Sequence, residues 1–571
     1  MNIETKLQEF KDLYLPEDFA WRRGQKEAIT QIIETYYEGK KKVVILDAPV
    51  GSGKSIIAMA CSWILNQDGK EGYILASDVA LQEQYEKDFK KFNLRWGSIK
   101  GLDNYYCNDN GEKLSVGTCK ISGKDARKMH CYSDCTYYSA RDEAKKRPTT
   151  LMNYAYWLIM QNLVNGTMND PIFPPRNFTI CDEGHKIVDI VQSQYSPKIT
   201  EKTTERISKL TDFFNNHNVV DHSVELREIE KLIDLIKDQE NQDILLEHII
   251  HIAGHLRKYI PSMKLLKGQA KKEFEDAQPP KSWKRAMGHG EYIIDLYTKL
   301  ISFAKIIKQT STRNLVKNPQ MNGDIIFNCL EENYLMNAYF HQWTGFSIFM
   351  SATFGDAKEY LKQIGVANAK YIKLDSTFNF DKSPIYYYNQ RRMSFKHLEA
   401  NLPWLYDTIN SVLDEHKGEN GIIHTASYNL TLKIYEGLSK ENRKRVLIYE
   451  GSEEKRNAIE QMKVYKDKIL MGPSLLEGID LKHDWSRFQI FAKVPYLSLA
   501  DRFVKAKLDL NPGWYRSKAI LNILQGIGRS IRSEEDWAVT YIMDASLSDL
   551  IRQHQNAFSG DFMKRLRIRK E

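Results

Sequence analysis

Short apolar runs separated by amphipathic stretches organise this chain, and the pattern changes twice along it. Lys42-Val43-Val44-Ile45-Leu46 reads as a buried strand, and Ser55 to about Leu65 as the helix that follows it. Tyr73–Ala76, Phe178–Cys181 and Phe346–Met350 are further short strands with helical stretches between them, the alternation of a parallel α/β sheet. From about 194 to 325 the sequence turns to Lys, Glu, Leu and Ile at helical spacing, as in Val224 to Ile236. That predicts a mostly helical insert, broken at Gln278-Pro279-Pro280. A second α/β series starts near 380, with strands expected at Gly421–Ile423, Val446–Tyr449, Lys468–Met471, Gln489–Ala492 and Val539–Met543. The expected division is a first α/β domain in three parts (1–101, 149–193 and 326–375), inserts at 102–148 and 194–325, and a second α/β domain over 376–571.

Composition changes this picture little. The 571 residues are 42% hydrophobic and 27% charged with a net charge of +8, ordinary for a soluble protein and permissive of a polyanionic partner. The first fifteen residues lack the apolar core of a signal peptide, and no apolar run is long enough to span a bilayer. The expectation is a cytosolic protein without membrane contact. Seven cysteines are too few for a disulfide scaffold, so a close group of four reads as a metal site.

The candidate chemistry starts where the first strand ends. Ala48-Pro49-Val50-Gly51-Ser52-Gly53-Lys54-Ser55 is a phosphate-binding loop. Gly51, Ser52 and Gly53 let backbone N–H groups crowd round phosphates at a helix N-terminus. Lys54 is expected on the β- and γ-phosphates and the Ser55 hydroxyl on Mg²⁺. Phe178 to Cys181 delivers Asp182-Glu183-Gly184-His185 at a strand end, where ligand sites of such sheets gather. Asp182 is expected to hold Mg²⁺, Glu183 to polarise the attacking water and His185 to couple the site to other motifs. In the second series, Gln525, Arg529 and Arg532 share one helix face, and the arginines suit a γ-phosphate met across a cleft.

In this order the motifs resemble the XPD/DinG type of superfamily 2 DNA helicases, from about Trp21 to Asp544. Arg23-Gly24-Gln25 is similar to the adenine-reading Q element, and Ala48 to Ser55 to motif I. Ala76-Ser77 with Leu81 and Gln84 resembles motif Ia, Asp182 to His185 motif II, and Ser351-Ala352-Thr353 motif III. His424 to Tyr428 resembles motif IV, Glu477-Gly478-Ile479-Asp480 motif V, and Gln525 to Arg532 motif VI. Motif II has Gly184 where the family usually has Ala, and motif I ends in Ser rather than Thr; both keep the chemistry. The resemblance implies an α/β fold of two RecA-like parallel-sheet domains, the first with a four-cysteine Fe–S insert and a helical Arch-like insert. It implies ATP, Mg²⁺ and a [4Fe–4S] cluster as cofactors, with Gln25, Glu477, Gly478 and Asp480 also at the nucleotide.

Cys107, Cys119, Cys131 and Cys135 are spaced C-x11-C-x11-C-x3-C. Spacing alone leaves zinc and iron–sulfur open, because either accepts four thiolates. The flanking Asn104-Tyr105-Tyr106 and Thr136-Tyr137-Tyr138 resemble the family's cluster surroundings and shift the weight to [4Fe–4S]. Cys61, Cys181 and Cys329 lie in apolar surroundings and read as core. Basic residues interleaved with tyrosines in the cysteine insert suit a single strand, phosphates on the charges and bases on the rings. Lys264, Lys267, Lys271 and Lys272 and the tail from Lys564 to Lys570 are further basic groups.

The functional expectation is an ATP-dependent helicase moving 5′-to-3′ by resemblance. Its partners are single-stranded and forked or tailed duplex DNA, with DNA–RNA hybrids as a further substrate, and it acts as a monomer in a bacterial or phage-infected cytosol. The alternative is a translocase that remodels protein–DNA complexes or R-loops without processive unwinding. A non-motor binding protein is argued against by the intact Lys54, Glu183 and arginine pair.

Overall fold

The computed structural model describes residues 2–121, 126–164, 171–274, 279–375, 380–475, 481, 483–528, 536–558 and 560–569. The chain lays down β1 (Val43–Asp47), β2 (Gly72–Ala76), β3 (Gly97–Ser98), β4 (Thr149–Asn153) and β5 (Arg176–Asp182). It continues through β6 (Lys198–Ile199), β7 (Leu315–Pro319) and β8 (Ile325–Cys329), then β9 (Thr344–Ser351) and β10 (Lys370–Lys373). β1 to β5 with β9 and β10 form one parallel sheet, in the order β10-β1-β9-β5-β2-β4-β3. β1, β2 and β4 are buried at every position; β1 and β2 therefore read as near-unbroken apolar runs, while Thr149, Thr150 and Asn153 mask the pattern in β4.

The second sheet is also parallel. It is built from β11 (Ile385–Tyr387), β12 (Gly421–His424), β13 (Val446–Leu447), β14 (Ile469–Gly472), β15 (Phe488–Phe491), β16 (Val539–Ile542) and β17 (Leu566–Ile568). Its order is β13-β14-β12-β15-β16-β11-β17. Two RecA-like parallel sheets are therefore present. β3, β4, β10, β11 and β17 were not read as strands from the sequence; they are two to five residues long, too short for a period to declare itself.

The helical reading of 194–325 needs one correction. Five helices, Lys202–Asn216, Ser223–Asp238, Gln242–Arg257, Tyr259–Glu273 and Lys281–Gln309, do fill most of it. Its two ends, however, join an antiparallel sheet in which β8 pairs with β6 and β7. Asn322-Gly323, with Gly323 at φ +80°, turns the β7–β8 hairpin. An Asn-Gly pair between alternating apolar residues was the available signal. Of the break at 278–280, Gln278 lies outside the described residues, while Pro280 starts the Lys281–Gln309 helix.

The basic tail is likewise not a free arm. β17 pairs with β11, and the Arg569 guanidinium lies 5.5–5.9 Å from the Tyr386, Tyr388 and Tyr541 rings while pairing with Glu415. Cys61, Cys181 and Cys329 are buried, as their surroundings predict. Among the described residues no helix is long and apolar enough to cross a membrane.

Helices Arg502–Leu510 and Pro512–Ile527, from the second α/β series, pack on the first. Lys507 Nζ lies 2.5 Å from Glu332 Oε2, both side chains 5% exposed, and also donates to the Leu330 carbonyl. Asn511 donates to Glu359 at 2.6 Å, and Lys518 pairs with Asp189 at 2.9 Å. Stripping one partner from a buried pair such as Lys507–Glu332 costs about 3–5 kcal/mol. This contact therefore holds the two sheets in a defined relation.

Candidate nucleotide site and cysteine cavity

Sheet order builds the site. β9 lies between β1 and β5, with Asp47 opposite Ser351 and Asp182 beside Met350. The C-terminal ends of three neighbouring strands thus present the phosphate loop, the Asp182–His185 turn and Ser351-Ala352-Thr353 side by side.

Gly51 and Gly53 adopt left-handed φ of +82° and +77°, and Gly53 caps the helix Lys54–Gln67. A Cβ at Gly53 would lie 2.4 Å from Gln25 Nε2, so only glycine fits there. Gln25 is buried; its amide donates to the Ser52 carbonyl at 2.8 Å and its oxygen accepts from the Arg22 N–H at 2.7 Å. In this conformation it braces the loop from behind. Lys54 Nζ donates back to the Ala48 carbonyl at 3.3 Å, which holds the ammonium over the loop. The Ser52 hydroxyl is buried without a hydrogen bond among the described residues. The Ser55 hydroxyl lies beside the Asp88 carboxyl, which burial raises and that hydroxyl draws back down.

Asp182 is buried at the end of β5. Its Oδ2 accepts from the Tyr85 hydroxyl at 2.8 Å and its Oδ1 from the Glu183 N–H at 2.9 Å. Burial and the neighbouring Glu183 charge push its carboxyl up to about 6, against the pull of Lys54 and Tyr85. Glu183 turns at φ +52°, a left-handed conformation rare outside glycine, and stays half-exposed. His185 is forced neutral by burial, its pKa brought down to about 3. Its Nδ1 lies 2.7 Å from Ser351 Oγ, which itself donates to the Thr353 carbonyl, so Nδ1 carries the proton. His185 thereby joins the Asp182–His185 turn to Ser351-Ala352-Thr353. Gly184 packs under Phe349: a Cβ there would sit 3.0 Å from Phe349 Cβ, which accounts for glycine where the family usually has alanine.

The second α/β series reaches this point through the Pro512–Ile527 helix. Gln525 lies half-buried in its last turn. A Cβ on Gly528, the next residue after the helix, would contact Val50 of the phosphate loop at 3.6 Å. Arg529 and Arg532, and Glu477, Gly478 and Asp480, lie outside the described residues.

Two residues that sequence reasoning did not single out touch this site: Tyr85 and Asp88, both on the helix Val79–Lys91. Nothing in their local pattern marks them, because their contacts arise only when this helix packs beside β5.

Cys107, Cys119, Cys131 and Cys135 line one small cavity with Leu114, Ala126, Met129, Tyr132 and Tyr138. Burial raises the Cys119 and Cys131 thiols, and the charge of neighbouring cysteines adds to the shift. Burial also acts on Cys107, but backbone N–H groups of Asn110, Thr118 and Asp109 outweigh it and favour the thiolate. Among the described residues no group of three or more His, Cys, Asp or Glu side chains is arranged to hold a metal ion.

Comparison with known proteins agrees with this geometry. Residues 409–565 match the helicase C-terminal domain, and residues 18–221 match the res subunit of type III restriction enzymes. The ATP-dependent DNA helicase YoaA of Haemophilus influenzae is 23% identical over 452 residues, 73% of this chain and 67% of that protein. Its Escherichia coli namesake is 19% identical over 92% of this chain and 91% of its own length. A solved XPD helicase superposes with a TM-score of 0.66 at 14% identity, covering 97% of this chain and all of the other. Xpd4 of S. tokodaii gives 0.62 at 15% identity, over 96% of this chain and all of the other.

Proposed function

We propose that this chain, which belongs to the XPD/DinG-like group of superfamily 2 helicases, is an ATP-hydrolysing DNA helicase that moves 5′-to-3′ along single-stranded DNA and opens duplex ahead of it. The observation that carries the reading is the meeting at one point of the phosphate loop, the Asp182–Glu183 strand end and the end of the second-domain helix at Gly528.

In this reading the loop amides and Lys54 bind the β- and γ-phosphates. Ser55 and Asp182 hold Mg²⁺, which when bound neutralises phosphate charge. Glu183 accepts a hydrogen bond from the attacking water and orients it. Neutral His185 keeps that turn tied to Ser351. Gln525, Arg529 and Arg532 approach from the second domain with Glu477, Gly478 and Asp480, and the arginines meet the γ-phosphate charge as the domains close. Loss of that phosphate loosens the closure, and the alternation moves the DNA strand.

The 102–148 insert is assigned a [4Fe–4S] cluster on Cys107, Cys119, Cys131 and Cys135. The fit rests on four thiols round one cavity and on N–H donors aimed at Cys107. Bound there, the cluster supplies the cross-link that a segment too small for its own core lacks. The helices from Lys202 to Gln309 take the place of the family's Arch. Substrates are single-stranded, forked and tailed DNA and DNA–RNA hybrids, engaged by a monomer.

ATP turnover is expected to rise on adding single-stranded DNA of any base sequence, and the stimulation to weaken as salt is raised, because phosphate contacts dominate such binding. Steady-state hydrolysis with and without oligonucleotide measures it. Turnover indifferent to DNA contradicts the proposal.

A further inference from the structure

The helix Val79–Lys91 follows β2 and lies against the end of β5. Two of its residues, one turn apart, meet the two groups that the preceding section assigns to the metal. Tyr85 is 1% exposed and its hydroxyl donates to Asp182 Oδ2 at 2.8 Å. Asp88 is half-buried, and the Ser55 hydroxyl beside its carboxyl favours the charged form against that burial. Positions three apart share a helix face, so a single rigid element addresses both.

Each contact has a definite consequence for a ligand atom. The Tyr85 hydrogen bond occupies one lone pair of Asp182 Oδ2, and the Glu183 N–H occupies one on Oδ1, so the carboxylate plane is fixed and its remaining lone pairs have set directions. The Tyr154 hydroxyl holds the Asp182 carbonyl at 2.8 Å, which leaves the side chain to Tyr85. A Ser55 hydroxyl that turns its hydrogen toward Asp88 leaves its oxygen lone pairs for another partner. Tyr85 is itself held by Phe89, whose ring centroid lies 6.1 Å away, edge-on.

We propose that Tyr85 and Asp88 are positioning residues for a divalent cation, orienting the Asp182 carboxylate and the Ser55 hydroxyl from one face of one helix. The inference rests on the metal roles given to Ser55 and Asp182 above. Partners of this kind hold ligands in the binding orientation, and their loss costs on the order of 10–100-fold in metal affinity.

The test is the Mg²⁺ dependence of DNA-stimulated ATP hydrolysis in Tyr85→Phe and Asp88→Asn, beside Lys54→Ala. Tyr85→Phe keeps the ring and removes only the donor; Asp88→Asn changes a half-exposed group and leaves folding intact. Each single change is expected to raise the half-saturating Mg²⁺ concentration roughly 10-fold or more. The maximal rate should be recovered at high Mg²⁺, with unchanged thermal unfolding and single-stranded DNA binding. A wild-type Mg²⁺ curve in both variants overturns the proposal, and so does a loss of rate that high Mg²⁺ does not restore or that comes with lowered thermal stability. Persistent turnover in Lys54→Ala marks failure of the nucleotide site itself; its loss beside a wild-type Mg²⁺ curve in Tyr85→Phe marks failure of the positioning role alone.

Discussion

Lys54→Ala is expected to abolish ATP hydrolysis while leaving binding of single-stranded DNA essentially intact. The ammonium is held over the phosphate loop at the Ala48 carbonyl, and in the proposed site it would face the charge that develops on the transferring phosphoryl group. Loss of a preorganised donor at such a position costs roughly 10²–10³-fold in turnover. A second effect acts in the same direction. Lys54 is among the groups that pull the Asp182 carboxyl down against burial, and with it gone that carboxyl moves further up toward neutrality. At pH 7 a larger fraction is then protonated and unable to hold a cation, so raising the pH recovers a small part of the loss and none of the lysine's direct contribution. Steady-state hydrolysis and oligonucleotide binding, measured on the same preparation, check the split. Turnover within a few-fold of the unchanged protein would sink the assignment of the site.

Most of this site is legible in the sequence because each motif sits at the end of a strand whose apolar run announces it. β1, β5 and β9 are strongly apolar, and the loop, the Asp182–His185 turn and Ser351-Ala352-Thr353 follow from where they end. The contacts between elements are not legible. Gln25 bracing Ser52, His185 joined to Ser351, and Tyr85 reaching Asp182 depend on strand order, which no local period encodes. The β7–β8 hairpin was hidden for a different reason: its strands follow a hundred residues of helix and carry Lys317 and Asn318 in the middle of an otherwise apolar run. Those polar side chains are buried because they have partners. Lys317 Nζ donates to the carbonyls of Ile236 and Lys237 at the end of a helix, and Asn318 donates to Asp501. The basic tail misleads in the opposite way, since charge alone does not say that Arg569 is claimed by three tyrosine rings and Glu415.

Cys131→Ser should lose visible absorbance and duplex unwinding, yet keep both sheets and most DNA-stimulated ATP hydrolysis. Among its described residues the insert has little regular structure of its own: single turns at Leu102–Asn104, Leu114–Val116, Thr118–Ile121 and Ala126–Lys128, and one longer helix, Thr136–Lys146. A segment of this size buries too little surface to fix its own shape and relies on a cross-link. The parallel sheet, by contrast, has a ladder of its own: β3 pairs with β4, and β4 with β2, through backbone bonds. Iron and sulfide content, far-ultraviolet circular dichroism and strand displacement, measured together, separate the cluster's role from that of the fold. Undiminished unwinding by protein that has lost its iron contradicts a mechanical role for the insert.

The central claim is that one ATP site, shared between two parallel sheets, drives movement along a DNA strand. ATP-dependent separation of duplexes carrying either a 5′ or a 3′ single-stranded tail, with protein purified without oxygen, tests it most directly. The account predicts separation of the 5′-tailed duplex alone. Separation of the 3′-tailed duplex alone contradicts the direction, and no separation of either despite DNA-stimulated hydrolysis contradicts the helicase reading in favour of a remodelling translocase.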